Sequence, residues 1–213
     1  MGRHVLTLPV LLVPSLLSAI PAGWVATRAA RAFVAGAVTP AVVIGVMFAA
    51  FGWAVAVMPP DWRLVAALGL GWMLTCLATI DVLAFRLPDA LTLPLLAAGL
   101  VVSLGLPGAP ILDHMIGALA GWGLLAGVGW IYLQWRGVDG VGLGDAKLLG
   151  AAGAWLGWTA LPSVLLIACG ASFVWIAVVL AMHGRIGLST RIAFGAPLCL
   201  GFWTVWLHGP LAM

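Results

Sequence analysis

Apolar residues run along this chain in long blocks, broken by short clusters of Arg, Asp, Pro and Gly. Eight blocks can be marked off, at about residues 5–25, 35–58, 63–84, 90–106, 111–135, 145–159, 162–182 and 192–208. A helix that crosses a bilayer needs roughly 20 apolar residues, which most of the blocks approach or exceed. Hydrocarbon offers no water to unpaired backbone groups, so such blocks predict helices that satisfy their own N–H and C=O groups. The sixth block is short and rich in glycine, which leaves a partial crossing open. The first carries Pro9, Pro14 and Pro21, so a kinked span is expected there. It runs on too far, without a small-residue cleavage site, to be a signal peptide. No internal repeat or low-complexity linker divides the chain. The expectation is one all-α domain over residues 1–213, a polytopic membrane helix bundle of about eight transmembrane segments.

Composition strengthens this picture. Of 213 residues, 64% are hydrophobic and 7% charged, with a mean hydropathy of +1.22. A soluble domain usually carries about 25% charged residues, so lipid is the expected surrounding. The net charge of +3 would raise nucleic acid as a partner of a soluble protein. In a membrane protein the basic residues set orientation instead, and no nucleic-acid partner is expected. Arg28, Arg31, Arg86, Arg136, Lys147, Arg185 and Arg191 fall on one side if every block crosses, and Arg3 and Arg63 on the other. The larger group should be cytoplasmic, which puts both termini on the side facing away from the cytoplasm. Cys76, Cys169 and Cys199 are scattered through apolar blocks with no CxxC pair, and are read as small buried side chains.

The chain has no glutamate, and its acids are Asp61, Asp81, Asp89, Asp113, Asp139 and Asp145. A carboxylate inside an apolar block is a site candidate by default. Asp81 lies near the cytoplasmic end of the third block, and Asp145 opens the sixth after Gly142 and Gly144. Because blocks alternate in direction, the two fall at one face and near one depth. Two carboxyls that share a site do not both ionise easily. One keeps a proton and polarises a carbonyl while the other activates water, which is the chemistry of an aspartic protease pair. Asp145 at a helix start suits the base, and Asp81 near a helix end suits the acid. Gly142 and Gly144 would leave backbone free to take unusual dihedrals and admit a substrate chain.

The other polar residues have blander readings. Asp145 alone could be a helix N-cap. Asp89 follows Pro88 and is read as an N-cap, Asp139 as solvated, and Asp61 and Asp113 as turn or N-cap residues. His114 and His208 lack metal spacing, so no metal and no cofactor is expected. Lys147 is a snorkelling or supporting charge.

Three stretches resemble the bacterial type IV prepilin peptidase family, membrane aspartic proteases with a GxGD motif. Ile80 and Asp81 are followed by LPDALTLPLL from Leu87 to Leu96. GLGDAKLLG runs from Gly142 to Gly150 and continues into GAWLGW, from Gly153 to Trp158. RIAFGAPL spans Arg191 to Leu198, with Ala193 and Ala196 where the family often has proline. The resemblance covers about residues 65–205. It implies that Asp81 and Asp145 are catalytic, with Gly142, Gly144, Lys147 and Asp89 binding substrate or supporting the site. It also implies prepilin or pseudopilin substrates, cut at the cytoplasmic face just before their hydrophobic helix to release a short basic leader. Many members carry a cysteine-rich zinc module between the first two spans and N-methylate the new end. Here that connection is about ten residues without cysteine, so cleavage without methyl transfer is expected. The competing class is a small ion-coupled or proton-conducting transporter. It would need acids near the bilayer midplane and helices related by a repeat.

Overall fold

The structure is a computed structural model that describes residues 4–33, 39–106, 108, 110–137, 142–183 and 193–211. Within these lie α1 (His4–Phe33), α2 (Pro40–Val57), α3 (Trp62–Ala84), α4 (Asp89–Ser103), α5 (Ile111–Arg136), α6 (Leu143–Leu156), a single 3₁₀ turn (Trp158–Ala160), α7 (Leu161–His183) and α8 (Gly195–His208). No strand occurs among the described residues. The helices α2, α3 and α5, and the stretch Trp158–Met182, are long and apolar enough to cross a membrane. Large apolar side chains such as Leu119 and Trp130 on α5, and Phe173 and Val174 on α7, face outward. An apolar exterior of this extent suits lipid rather than water. The chain is a multi-pass helical membrane protein.

Local chemistry sets the helix ends. Asp61 caps α3 by accepting the Arg63 N–H at 2.8 Å, as expected of it. Phe85 closes α3 in the left-handed region at φ 52°, its N–H donating to the Asp81 carbonyl at 2.8 Å. Two expectations shift. Arg28 and Arg31 lie on α1 itself, because no proline or glycine interrupts the chain from Trp24 to Phe33. Asp113 is the third residue of α5, whose N-cap is Pro110.

Contacts at the two ends show the helices alternating in direction. At one end Trp53, late in α2, donates its indole N–H to His208 at the end of α8, at 3.1 Å. There too the Leu211 N–H reaches Ser163 Oγ at the start of α7, at 3.0 Å. The other end gathers the end of α3 and the starts of α4, α6 and α8, with Arg86, Arg136 and Lys147. Arg28 and Arg31 join this end, since Ala26 and Ala30 of α1 share a buried cluster with Cys76 and Ile80 of α3.

The short helix α6 is the centre of the bundle, with Ala146 and Leu148 to Trp155 buried. Its 14 residues rise only roughly 21 Å, short of a full crossing. Glycine lets α5 press against it. A Cβ on Gly121 would lie 2.5 Å from the Leu149 carbonyl oxygen, and one on Gly153 would collide with Gly117 backbone. The Trp155 indole donates to the Leu95 carbonyl of α4 at 2.8 Å and packs edge-on against Trp206 of α8. Asp145 is thus carried on a helix gripped from three sides. Of the cysteines, Cys76 and Cys199 are buried as expected, but Cys169 is exposed, because α7 turns most of its surface outward.

Candidate active site

Asp81 lies in the last turn of α3, 5% exposed, with its carboxyl turned inward. Its Oδ2 accepts the Ala196 N–H at 2.9 Å, and the Gly195 amide also faces it. These are the first two amides of α8, whose partners would otherwise be missing. A Cβ on Gly195 would lie 2.8 Å from Asp81 Oδ2, so only glycine admits the carboxyl there.

Asp145 is the third residue of α6, half-buried in its first turn, with Gly142 as N-cap. Leu87 joins the two sites, since a Cβ on Gly144, next to Asp145, would lie 2.8 Å from Leu87 Cβ, and one on Gly195, against which the Asp81 carboxyl rests, would lie 3.0 Å from Leu87 Cδ1. The two acids therefore occupy one small region above the first turn of α8. α8 packs on both α3 and α6 and joins the helices that carry them.

Several details depart from the sequence reading. Gly142 and Gly144 have no left-handed dihedral. The space that a Cβ of Gly144 would take is filled by Leu87, whose Cβ would lie 2.8 Å away, and so is not open to substrate. A Cβ on Gly142 would lie 3.6 Å from Asp145 Oδ2, an ordinary contact, so the described residues leave room there. Asp89 is not the N-cap of α4. The Pro88 carbonyl already accepts the Leu91 and Thr92 N–H groups at 3.0 and 3.1 Å, so the helix starts one residue earlier. The Asp89 side chain instead accepts Lys147 Nζ at 2.6 Å, an ion pair 28% exposed on the lysine and 58% on the aspartate. The division into acid and base by helix dipole loses its premise, because Asp81 also faces a helix start, that of α8.

Asp139, Arg185 and Arg191 lie outside the described residues. His114 is buried with Nδ1 3.0 Å from the Ala154 carbonyl, remote in sequence from any acid of the site. No cluster of three or more metal-ligating side chains occurs among the described residues. Sequence reasoning missed Leu87, Gly195 and Ala196 as members of this site. Pro197, in the first turn of α8, is a helix-start signal that would have pointed to the last two.

Residues 68–180, which include both aspartates and Leu87, match the model of the type IV leader peptidase family. This chain belongs to that family. The prepilin leader peptidase/N-methyltransferase of Aeromonas salmonicida (strain A449) is 43% identical over 154 residues, 71% of this chain and 52% of that relative. That of Burkholderia pseudomallei (strain 1026b) is 43% identical over 148 residues, 70% of this chain and 48% of the relative. That of Klebsiella pneumoniae is 42% identical over 128 residues, 60% of this chain and 55% of the relative. The chain spans about half the length of the curated relatives it matches. No solved structure matches it. The α8 amides that meet Asp81 lie beyond residues 68–180, and their part in the site is read from the geometry.

Proposed function

We propose that this chain is a membrane aspartic endopeptidase that removes the short basic leader from type IV prepilins or pseudopilins, with Asp81 and Asp145 as its dyad. What supports this reading is that the helix starts beside Asp145 and against Asp81 pack on the same residue, Leu87, at one end of the bundle. In the reaction one carboxyl takes a proton from water as the water oxygen attacks the scissile carbonyl carbon. The other, initially protonated, gives its proton to the carbonyl oxygen. As the tetrahedral intermediate collapses, the first carboxyl gives the proton that it took from water to the leaving nitrogen, the C–N bond breaks, and the second carboxyl regains a proton from a hydroxyl of the intermediate. Gly142, next in space to Asp145, and the Lys147–Asp89 ion pair, which ties α6 to α4, are assigned supporting roles in this reading. The transporter reading is disfavoured by the place of Asp81 and Asp145 at one end of the bundle and not its middle, and by family membership. Incubating the purified chain with a tagged prepilin in detergent tests the proposal. Release of the leader ahead of the substrate's hydrophobic segment is expected, and an intact substrate after prolonged incubation would refute it.

The site is proposed to open to the cytoplasm across a bacterial inner membrane. Arg28, Arg31, Arg86, Arg136 and Lys147 lie at its end and Arg63 at the other, which supports this orientation. In a background with Cys169 replaced by Ala, Arg136→Cys should react with an impermeant maleimide from the cytoplasmic side only. Gly108→Cys should react from the opposite side. The reverse pattern would put the dyad on the wrong face for leader removal.

We also propose that this chain cleaves without N-methylating its product. Its three cysteines lie singly on α3, α7 and α8, and none falls between α1 and α2. The purified chain should leave mature pilin unlabelled when supplied with methyl-labelled S-adenosylmethionine. Incorporated label would overturn this.

A further inference from the structure

The segment between α3 and α4, residues 85–88, leaves the Asp81 helix and crosses to α6. Its one buried side chain is Leu87. Leu87 fills two glycine-made hollows at once. A Cβ on Gly144, one residue before Asp145, would lie 2.8 Å from Leu87 Cβ. A Cβ on Gly195, against which the Asp81 carboxyl rests, would lie 3.0 Å from Leu87 Cδ1 and 2.8 Å from Asp81 Oδ2. Leu87 therefore touches the start of α6, which carries Asp145, and the start of α8, which holds Asp81. Just beyond it Asp89 is tied to Lys147 of α6 at 2.6 Å, which fastens the same segment to the same helix. Phe85, at φ 52°, makes the turn that sends the chain across. A non-glycine residue in that region costs energy and persists only where its surroundings hold it.

From this arrangement we propose that Leu87 is a positioning residue, a spacer wedged between the two glycines that sets the separation of the Asp81 and Asp145 carboxyls. The role rests on the dyad reading. Leu87 touches no reacting atom in it. It keeps α6 and α8 at a fixed distance, and each helix start fixes one acid. A core leucine with a merely structural role would, when shortened, lower the amount of folded protein without changing the separation of the acids. A spacer would change that separation in the protein that does fold.

Two measurements test it on the full chain. In the first, Leu87→Ala is compared with Leu87→Met in single-turnover and steady-state cleavage of a tagged prepilin. A misplacement of about 1 Å is expected to lower kcat roughly 10²-fold with KM little changed. Leu87→Met, which keeps the volume, should return kcat to within about tenfold of wild type. In the second, Asp81→Cys and Asp145→Cys are combined in a chain with Cys76, Cys169 and Cys199 replaced by Ala. Bifunctional methanethiosulfonates of graded length then measure the distance without any need for activity. With Leu87 a narrow range of lengths should join the pair, and with Leu87→Ala the range should shift or broaden. The same lengths and rates in both backgrounds would overturn the spacer, as would an unchanged kcat in Leu87→Ala. If the wild-type chain cleaves nothing, the peptidase reading fails, and the cross-linking still decides the spacer.

Discussion

Asp81→Asn and Asp145→Asn are each expected to lower leader cleavage by on the order of 10⁴-fold or more, because residues that act as a unit lose nearly all their effect when one is removed. Neither change should prevent folding. Asn at position 81 keeps a carbonyl oxygen that can accept the Ala196 N–H, now at 2.9 Å from the carboxyl. The hydrogen bond is kept, so the cost in stability should not exceed about 1 kcal/mol. At position 145 the side chain is half-buried in the first turn of α6, where Asn is tolerated. Membrane-inserted protein should accumulate to near wild-type levels in both. Cleavage near the wild-type rate by either variant would show that the dyad is wrongly assigned.

Gly195→Ala should have the next largest effect, and it acts without touching a carboxyl chemically. The added Cβ would lie 2.8 Å from Asp81 Oδ2, 2.9 Å from its Cγ and 3.0 Å from Leu87 Cδ1. All three are side-chain atoms, but the Asp81 carboxyl is held by the Ala196 amide and Leu87 is packed against Gly144. The Asp81 carboxyl can yield only by swinging away from the Ala196 amide or by pushing α8 outward. Either motion displaces one acid from the other, and a shift of about 1 Å can cost roughly 10²-fold in rate. The loss of stability from overpacking should stay near 1–3 kcal/mol, so the protein remains measurable. Gly127→Ala, on α5 with nothing within 4 Å of its added Cβ, is the control and should cleave normally. Wild-type activity in Gly195→Ala would mean that the start of α8 does not hold Asp81 in the working enzyme.

The eight helices were legible because lipid imposes a simple requirement, a long apolar run closed at both ends. Charge and turn residues marked those ends well for α3, where Asp61 caps and Arg86 follows. They marked them less well for α1, where an Ala-rich stretch carried the helix past Arg28 to Phe33. Asp81 and Asp145 stood out because a carboxylate in an apolar run has few structural uses. The partners that hold them did not. Leu87 looks like any other apolar residue, and its role exists only because Gly144 and Gly195 from distant segments leave room around it. The pairing of Asp89 with Lys147 spans 58 positions, and sequence spacing offers no rule for contacts of that kind. The acid and base roles were assigned from each aspartate's own helix, and the start of α8 added a third dipole that local reasoning could not include.

The most direct measurement is single-turnover cleavage of a tagged prepilin by the purified chain, with product mass determined for wild type, Asp81→Asn, Asp145→Asn and the double variant. If the carboxyls work as one unit, wild type releases the leader, each single variant is reduced to residual turnover, and the double variant is no worse than either. A single variant that retains most of the wild-type rate, or losses that multiply in the double variant, would contradict a shared dyad.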